Sequence, residues 1–421
     1  MNRSRRRVVL LAFLTALVVP AAAVACLWDY DTIKMERSRF PGTLELITGK
    51  FLRHSPEFYQ WRIQNRLKRL ESDPTNAGLL DDLAVAYDKT GQHEKAIETA
   101  RKVEELHPGR YETAANLGTF YFHAGKLEEG IPHIDRALKM NPDAHFGREK
   151  YQKRLVEYVL HRRKGNPLRH PLADVTILSR TGSDNPPEQF AEIQDSFAMF
   201  LSPNPREGLT TEQAAAAVKG ILGMMRFGKH DSPVLLEALG TLLVQDGYNP
   251  TADAKFLATR AFLKASYEVP EGLARENYRA MAHRAIYLQT ARRDEEEQIS
   301  LEQVESDFQK ELTDAQTWYA ELRDRELSWI REGRDPESEF DKLYSADPEL
   351  PGMDMVDPMR ADQKLALYLI TGTIVFGLAA VAVLVWVGRL VGRVFGRRTN
   401  VGLQPRTDSK AEPPAATDAG A

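Results

Sequence analysis

The side chains with which this 421-residue chain could do chemistry are ten histidines, sixty Asp and Glu residues and a single cysteine, Cys26. One cysteine makes no intramolecular disulfide and no multi-cysteine zinc or iron–sulfur site. The histidines are scattered, and none forms a ligand pair at helical spacing with a nearby carboxylate. His123 and His133 read as surface or inter-helix residues. No phosphate-cradling Gly-rich loop, zincin helix, haem-attachment motif, Gly-x-Ser-x-Gly elbow or Ser-x-x-Lys pair occurs. The sequence therefore predicts a non-enzyme with no catalytic residue, no metal ligand and no cofactor. Met353, Met355 and Met359 offer thioethers of the kind that suit Cu(I), but three methionines in a linker read as adaptable packing.

Charge gives one cluster. Residues 148–170 carry Arg148, Lys150, Lys153, Arg154, Arg162, Arg163, Lys164 and Arg169 against Glu149 and Glu157, a surplus of six positive charges in a chain of net charge −4. As a patch, led by Arg148, Lys153, Arg154, Arg162, Arg163 and Lys164, it suits an anionic envelope polymer, lipid headgroups or an acidic partner. As a solvated helix face it does nothing. The near-balance of 56 Lys and Arg with 60 Asp and Glu excludes a dedicated nucleic-acid binder.

The elements that must carry these residues begin and end with apolar runs. Arg3, Arg5, Arg6 and Arg7 precede an uncharged stretch at 8–28, and Ala23-Val24-Ala25 stands before Cys26. This is a secretory-signal pattern, with cleavage after Ala25, lipidation at Cys26 and retention as an anchor all open. Residues 365–388 are 24 uncharged positions; at about 1.5 Å per residue they cover about 36 Å, enough for a hydrocarbon core. Arg389, Arg393, Arg397 and Arg398 follow, so the positive-inside rule places the tail in the cytoplasm and residues 27–363 outside it.

Between these runs the pattern is helical, and part of it repeats. A spacing of 34 residues separates Leu83 from Leu117, Ala84 from Gly118, Tyr87 from Tyr121 and Gly91 from Gly125. It also separates Ala96 from Gly130, Ala100 from Ile134, Val103 from Ala137 and Pro108 from Pro142. Small residues let paired helices approach, tyrosines fill between them, a glycine turns the chain and a proline stops the second helix. In this period and residue pattern the chain resembles the tetratricopeptide repeat family. Ser55-Pro56 starts a preceding helix, with Phe58, Trp61, Leu67 and Leu70 inward; a helix over 146–163 follows as a cap. Leu239-Gly240-Thr241 and Ala254, Ala258 and Ala261 echo the repeat as a divergent third hairpin, opened by Ser232-Pro233 and Asn249-Pro250. Thr210 and Gln213 open another helix that ends near Gly228, and 174–178 is the one short strand expected.

The resemblance implies an all-α solenoid of helical hairpins and a concave recognition groove, here Gly78, Asp81, Val85, Asp88, Glu112, Ala115, Thr119 and Phe122. Some members clamp a terminal carboxylate with Lys and Asn; Asp81 and Ala115 stand where that Lys belongs, so the clamp is missing. An acidic, apolar groove suits a basic or hydrophobic peptide or helix, unless the chain's own helices cover it. Leu301, Val304, Phe308, Leu312, Ala315, Trp318 and Leu322 form a narrow seam that either packs back on the hairpins or pairs with a second chain as a coiled coil.

The expected order is a signal peptide or anchor at 1–28, the repeat domain with its flanking cap helices at 42–164, and a helical domain with the divergent hairpin at 165–271. A long helical segment at 272–345, a linker at 346–363, a transmembrane helix at 364–391 and a disordered cytoplasmic tail at 392–421 complete it. The functional expectation is an adaptor tethered in a bacterial inner membrane, its main domain on the periplasmic side and its partner a protein or peptide. Nucleic acid is excluded, and self-association remains open. The rivals are a structural or oligomerising envelope protein and a non-catalytic subunit of an envelope enzyme complex.

Overall fold

A computed structural model describes residues 27–346 except 33–34, 36–37, 143–146, 181–187, 205–206, 246–253 and 291–298. The expected transmembrane helix, linker and tail, the signal segment up to Cys26, the Met353–Met359 group and the Asn249-Pro250 helix start lie outside the described residues. Among the described residues, no helix is long and apolar enough to cross a membrane.

A short helix α1 (Thr43–Thr48) precedes α2 (Pro56–Leu70). The Ser55 hydroxyl accepts from the Phe58 amide at 3.2 Å and Pro56 takes the first helical position, which starts α2 where the sequence predicts. Its inner face differs from expectation. Phe58, Arg62, Ile63 and Arg66 are buried, whereas Leu67 is 42% exposed. The arginines turn inward because acidic partners wait for them.

Two antiparallel hairpins follow: α3 (Ala77–Lys89) with α4 (His93–Leu106), and α5 (Tyr111–His123) with α6 (Leu127–Met140). Gly91 and Gly125 turn the two hairpins at φ 76° each, a left-handed conformation that glycine adopts without strain. The predicted small positions are where α5 and α6 touch. A Cβ on Gly130 would stand 2.7 Å from the Gly118 carbonyl oxygen, and one on Gly118 would stand 2.5 Å from Ile134.

Helix α7 (Arg148–Arg163) closes the stack, with Leu155, Val156, Tyr158 and Val159 buried. The strand expected at 174–178 is β1 (Asp174–Arg180), and its antiparallel partner β2 (Glu188–Gln194), which the sequence did not predict, corrects the all-α class, with Val175 opposite Ile193 and Ile177 opposite Ala191. In β2 the buried Ala191 and half-buried Ile193 alternate with exposed Glu192 and Gln194, a period-two signal only a few residues long.

After α8 (Phe197–Leu201), a capping box between Thr210 and Gln213 starts α9 (Thr211–Phe227), which ends at Gly228 as predicted. The divergent hairpin is α10 (Pro233–Leu243) against α11 (Ala254–Tyr267), with Phe262 filling the space beside Gly240. Helices α12 (Leu273–Thr290), α13 (Leu301–Arg331) and α14 (Pro336–Ala346) complete the described chain. Helix α14 ends the expected helical segment, running to Ala346 at the edge of the expected linker, and buries Phe340 and Tyr344.

The seam on α13 is used inside the molecule. Val304, Phe308, Leu312, Ala315 and Leu322 are buried against the chain's own helices. Arg260 of α11 grips Glu311 through two bonds of 2.7 Å. The coiled-coil alternative is corrected accordingly, because a seam already covered has no face left for a second chain.

Candidate functional site

The groove face assigned from the sequence is interior. Asp81, Val85, Asp88, Thr119 and Phe122 are each at most 4% exposed, and Glu112 is half-buried. Segment 27–32 fills much of the face. Leu27 joins Val85, Leu117 and Phe120 in one apolar cluster. The Trp28 amide donates to Asn116 Oδ1 at 2.7 Å and the Asn116 amide returns a bond to the Trp28 carbonyl at 2.9 Å. Tyr30 N–H donates to Asp82 at 2.9 Å. From the other side, Gln152 of α7 donates to the Thr119 hydroxyl at 3.0 Å. Two short hairpins leave an apolar concave face that must be covered, and here the chain covers it. Leu27 and Trp28, placed by the sequence at the end of the anchor, belong to this packing.

Below the segment lies a buried ionic cluster. Arg62 bonds Asp29 (2.8 Å), Asp31 (2.5 Å) and Glu337 (2.8 Å). Arg66 bonds Asp82 (2.9 Å) and Glu337 (2.5 Å). His54 is 2.6 Å from Glu326 and 3.2 Å from Asp31, and it stacks on Phe58 with ring centroids 3.6 Å apart. The cluster joins segment 27–32, α2, α3, α13 and α14. Burial works against a charged imidazole, but Asp31 and Glu326 outweigh it and hold His54 at about 9. Burial likewise opposes charge on Arg62, and Asp31, Asp29 and Glu337 keep it charged. Asp29 and Asp82 are pushed up, chiefly by burial.

Beside the cluster is a cavity of about 420 Å³ between the first repeat, segment 27–32 with Met35, the 227–231 turn and Tyr319. Asp88 stands on its wall with its two oxygens 2.8 Å from His93 Nδ1 and 2.7 Å from His123 Nδ1. Burial opposes the Asp88 carboxylate, yet His123 and His93 hold it at about 2. The neighbouring Lys89 ammonium turns away to the carbonyls of Phe227 (2.7 Å) and Gly228 (3.2 Å). His230 is pushed down to about 3 by burial and by Arg53. Asp88, His93 and His123 are the described residues that bring ligand-type atoms together, all within 4.8 Å.

Sequence reading singled out Asp88 and treated His123 as structural, and it passed over His93. The signal was available in the repeat itself. Asp88 and His93 flank the Gly91 turn, and His123 ends the first helix of the next repeat, 35 residues after Asp88. Stacking at a 34-residue period sets those three positions side by side.

The predicted basic patch is not one open surface. Arg148 is 2% exposed and lies over the Phe227 ring. Lys153 pairs with Asp135 at 2.5 Å and Arg154 with Glu157 at 2.7 Å. Arg162 meets Asp174, Asp195 and the Leu172 carbonyl, Arg163 bonds the Asn166 carbonyl, and Lys164 is exposed. The side chains crowd one stretch of sequence but mostly meet carboxylates and carbonyls.

Comparison with known proteins places this geometry. The tetratricopeptide repeat family matches residues 77–109, which span the α3–α4 hairpin and its Gly91 turn. The chain is also similar to the small glutamine-rich tetratricopeptide repeat-containing protein 2 of Mycosarcoma maydis, at 25% identity over 114 residues. That alignment spans 27% of this chain and 30% of the relative's length.

Proposed function

We propose that this chain is a membrane-tethered adaptor that binds another protein at the part of the repeat surface its own N-terminal segment leaves open. The observation that carries this reading is the combination of stacked repeat hairpins with an open, polar cleft of about 660 Å³ at the mouth of the filled groove. Tyr30, Arg69, Asp81, Arg110 and Asp335 line it. Arg110 pairs with Asp81 at 2.8 Å and reaches toward Glu112 at 3.6 Å, so one of the expected groove carboxylates, Asp81, lines the cleft and a second approaches its Arg110. Such a mixed-charge cleft suits a polar protein segment that can exchange ion pairs with it.

Tethering rests on the apolar run at 365–388 and the arginines after it. They support a single span, the folded part outside the cytosol of a bacterial inner membrane and the tail inside. Confinement to the membrane raises the local concentration of a partner that shares it. An adaptor of this kind serves equally as the non-catalytic subunit of an envelope enzyme complex. The rival oligomerising role loses its main support, because the 301–322 seam is covered internally.

Site-specific photo-cross-linking in intact cells tests the reading. A cross-linker at Arg69 should trap a protein that the same group at exposed Lys310 of α13 does not, and Arg110→Glu should abolish the adduct. Equal adducts at both positions, or none at Arg69, would contradict the cleft as the docking site. Protease added to spheroplasts should cut the folded region; full protection there would contradict its export.

A further inference from the structure

We propose that Asp88, His93 and His123 bind one divalent metal ion of the zinc class at the wall of the 420 Å³ cavity. One carboxylate and two imidazoles form a donor set that suits zinc and its neighbours in the first transition row. One donor atom from each residue lies within 4.8 Å of the others, and each Nδ1 stands 2.7–2.8 Å from an Asp88 oxygen. Ligand atoms around a tetrahedral ion with bonds of about 2.0–2.1 Å are roughly 3.3 Å apart. Each Nδ1–oxygen pair would open by about half an ångström to accept it, and the widest-spaced donors would close by up to about 1.5 Å.

The surroundings point the same way. The Asp88 side chain is 2% exposed and His123 9%, so their positions are held by packing, while His93 at 30% leaves a way in. Nε2 of His123 is buried and bonds to nothing. Before an ion enters, the Asp88 carboxylate holds the Nδ1–H tautomer of that ring, so an ion must displace the Nδ1 proton, and Nε2, with no partner of its own, can carry a proton instead. The ammonium of the neighbouring Lys89 is committed to the Phe227 and Gly228 carbonyls. All three ligand residues line the cavity. Three protein ligands beside such a space leave a coordination position for water or a small anionic ligand, as in open rather than closed zinc sites. The hairpin turn at Gly91 and the end of α5 supply the ligands, so the site exists only while the two repeats are stacked.

The test uses the full chain in detergent, dialysed against excess zinc and then metal-free buffer, with metal counted by mass spectrometry. The expected result is about one zinc per chain for the wild type. Cobalt(II) in its place should give the visible absorption of a low-symmetry, four- or five-coordinate ion. His93→Ala, at the half-exposed ligand, should weaken binding by roughly tenfold or more, and Asp88→Asn should act likewise; His107→Ala should leave it unchanged. A wild type that retains no zinc above a protein-free buffer blank after dialysis overturns the proposal, as does a folded His93→Ala that retains as much as the wild type. Asp88→Asn puts a buried carboxylate at risk of misfolding, so the circular dichroism of each variant accompanies the count and His93→Ala decides.

Discussion

Arg62 is the residue on which the described fold makes its largest electrostatic commitment. It is fully buried with three carboxylates on its guanidinium, one from α14 and two from the N-terminal segment. Removing one partner of a buried pair leaves uncompensated charge and costs about 3–5 kcal/mol. Arg62→Ala should lower full-chain stability by that amount in urea titration, whereas Arg323→Ala, which breaks a solvent-exposed pair with Glu57, should barely move the midpoint. His54 adds a pH signature. Its ordinary value is 6.5 and the fold raises it to about 9, so the folded state binds that proton more tightly than the unfolded chain. The resulting stability is complete below about 6.5, falls as pH rises through about 9, and is on the order of 3 kcal/mol. Asp31 and Glu326 face the ring directly, with Arg62 and Tyr59 behind them. Asp81, raised to about 7 by burial despite Arg110, loses stability in the same direction at lower pH. Below about 6.5 His230, pushed down to about 3, gains stability as pH rises and opposes Asp81, so the upper decline is read between about pH 7 and 9.5, and His54→Gln should remove it. Persistence of that upper decline in His54→Gln would assign it to another group.

Helix by helix, the close approach of α5 and α6 can be tested by a single methyl group. Gly130→Ala sets a Cβ against the Gly118 carbonyl as well as the Phe122 ring. Backbone cannot swing aside as a side chain does, so a loss of about 1–3 kcal/mol is expected in thermal unfolding. A neutral outcome would mean that the two helices stand farther apart. This approach is legible in the sequence, because the 34-residue period repeats small, aromatic and turn residues together and only a stacked hairpin uses all three. The caps at Ser55 and Thr210 were legible for the same reason: each is local chemistry with one solution. The inner face of α2 was not. Arg62 and Arg66 read as solvent-facing until Asp29, Asp31, Asp82 and Glu337 are placed, and Glu337 is more than 270 residues away. Strand β2 escaped because its alternation rests on Ala191 and Ile193. The α13 seam was visible, but the choice of what it packs on belongs to α11, α1 and α2. Phe308→Ala should cost about 3–5 kcal/mol and leave the sedimentation coefficient of the detergent-solubilised chain unchanged; a change in association state on that substitution would revive the coiled-coil reading.

Over the whole folded region, the repeats carry their own occupant. Segment 27–32 lies across the concave face as a partner peptide would, held by Asn116 at the Trp28 backbone, by Asp82 at the Tyr30 amide and by the ionic cluster at Asp29 and Asp31. No local pattern announces this, since it joins the first described residues to helices near the end of the fold. It redirects the adaptor reading from the groove floor to the cleft at its mouth, and it sets the most direct test. Residue-resolved hydrogen–deuterium exchange on the full chain should find the Trp28 and Tyr30 amides protected to the same degree as the amides of α5. Exchange of those two amides at the rate of an unstructured peptide, with α5 still protected, would contradict it.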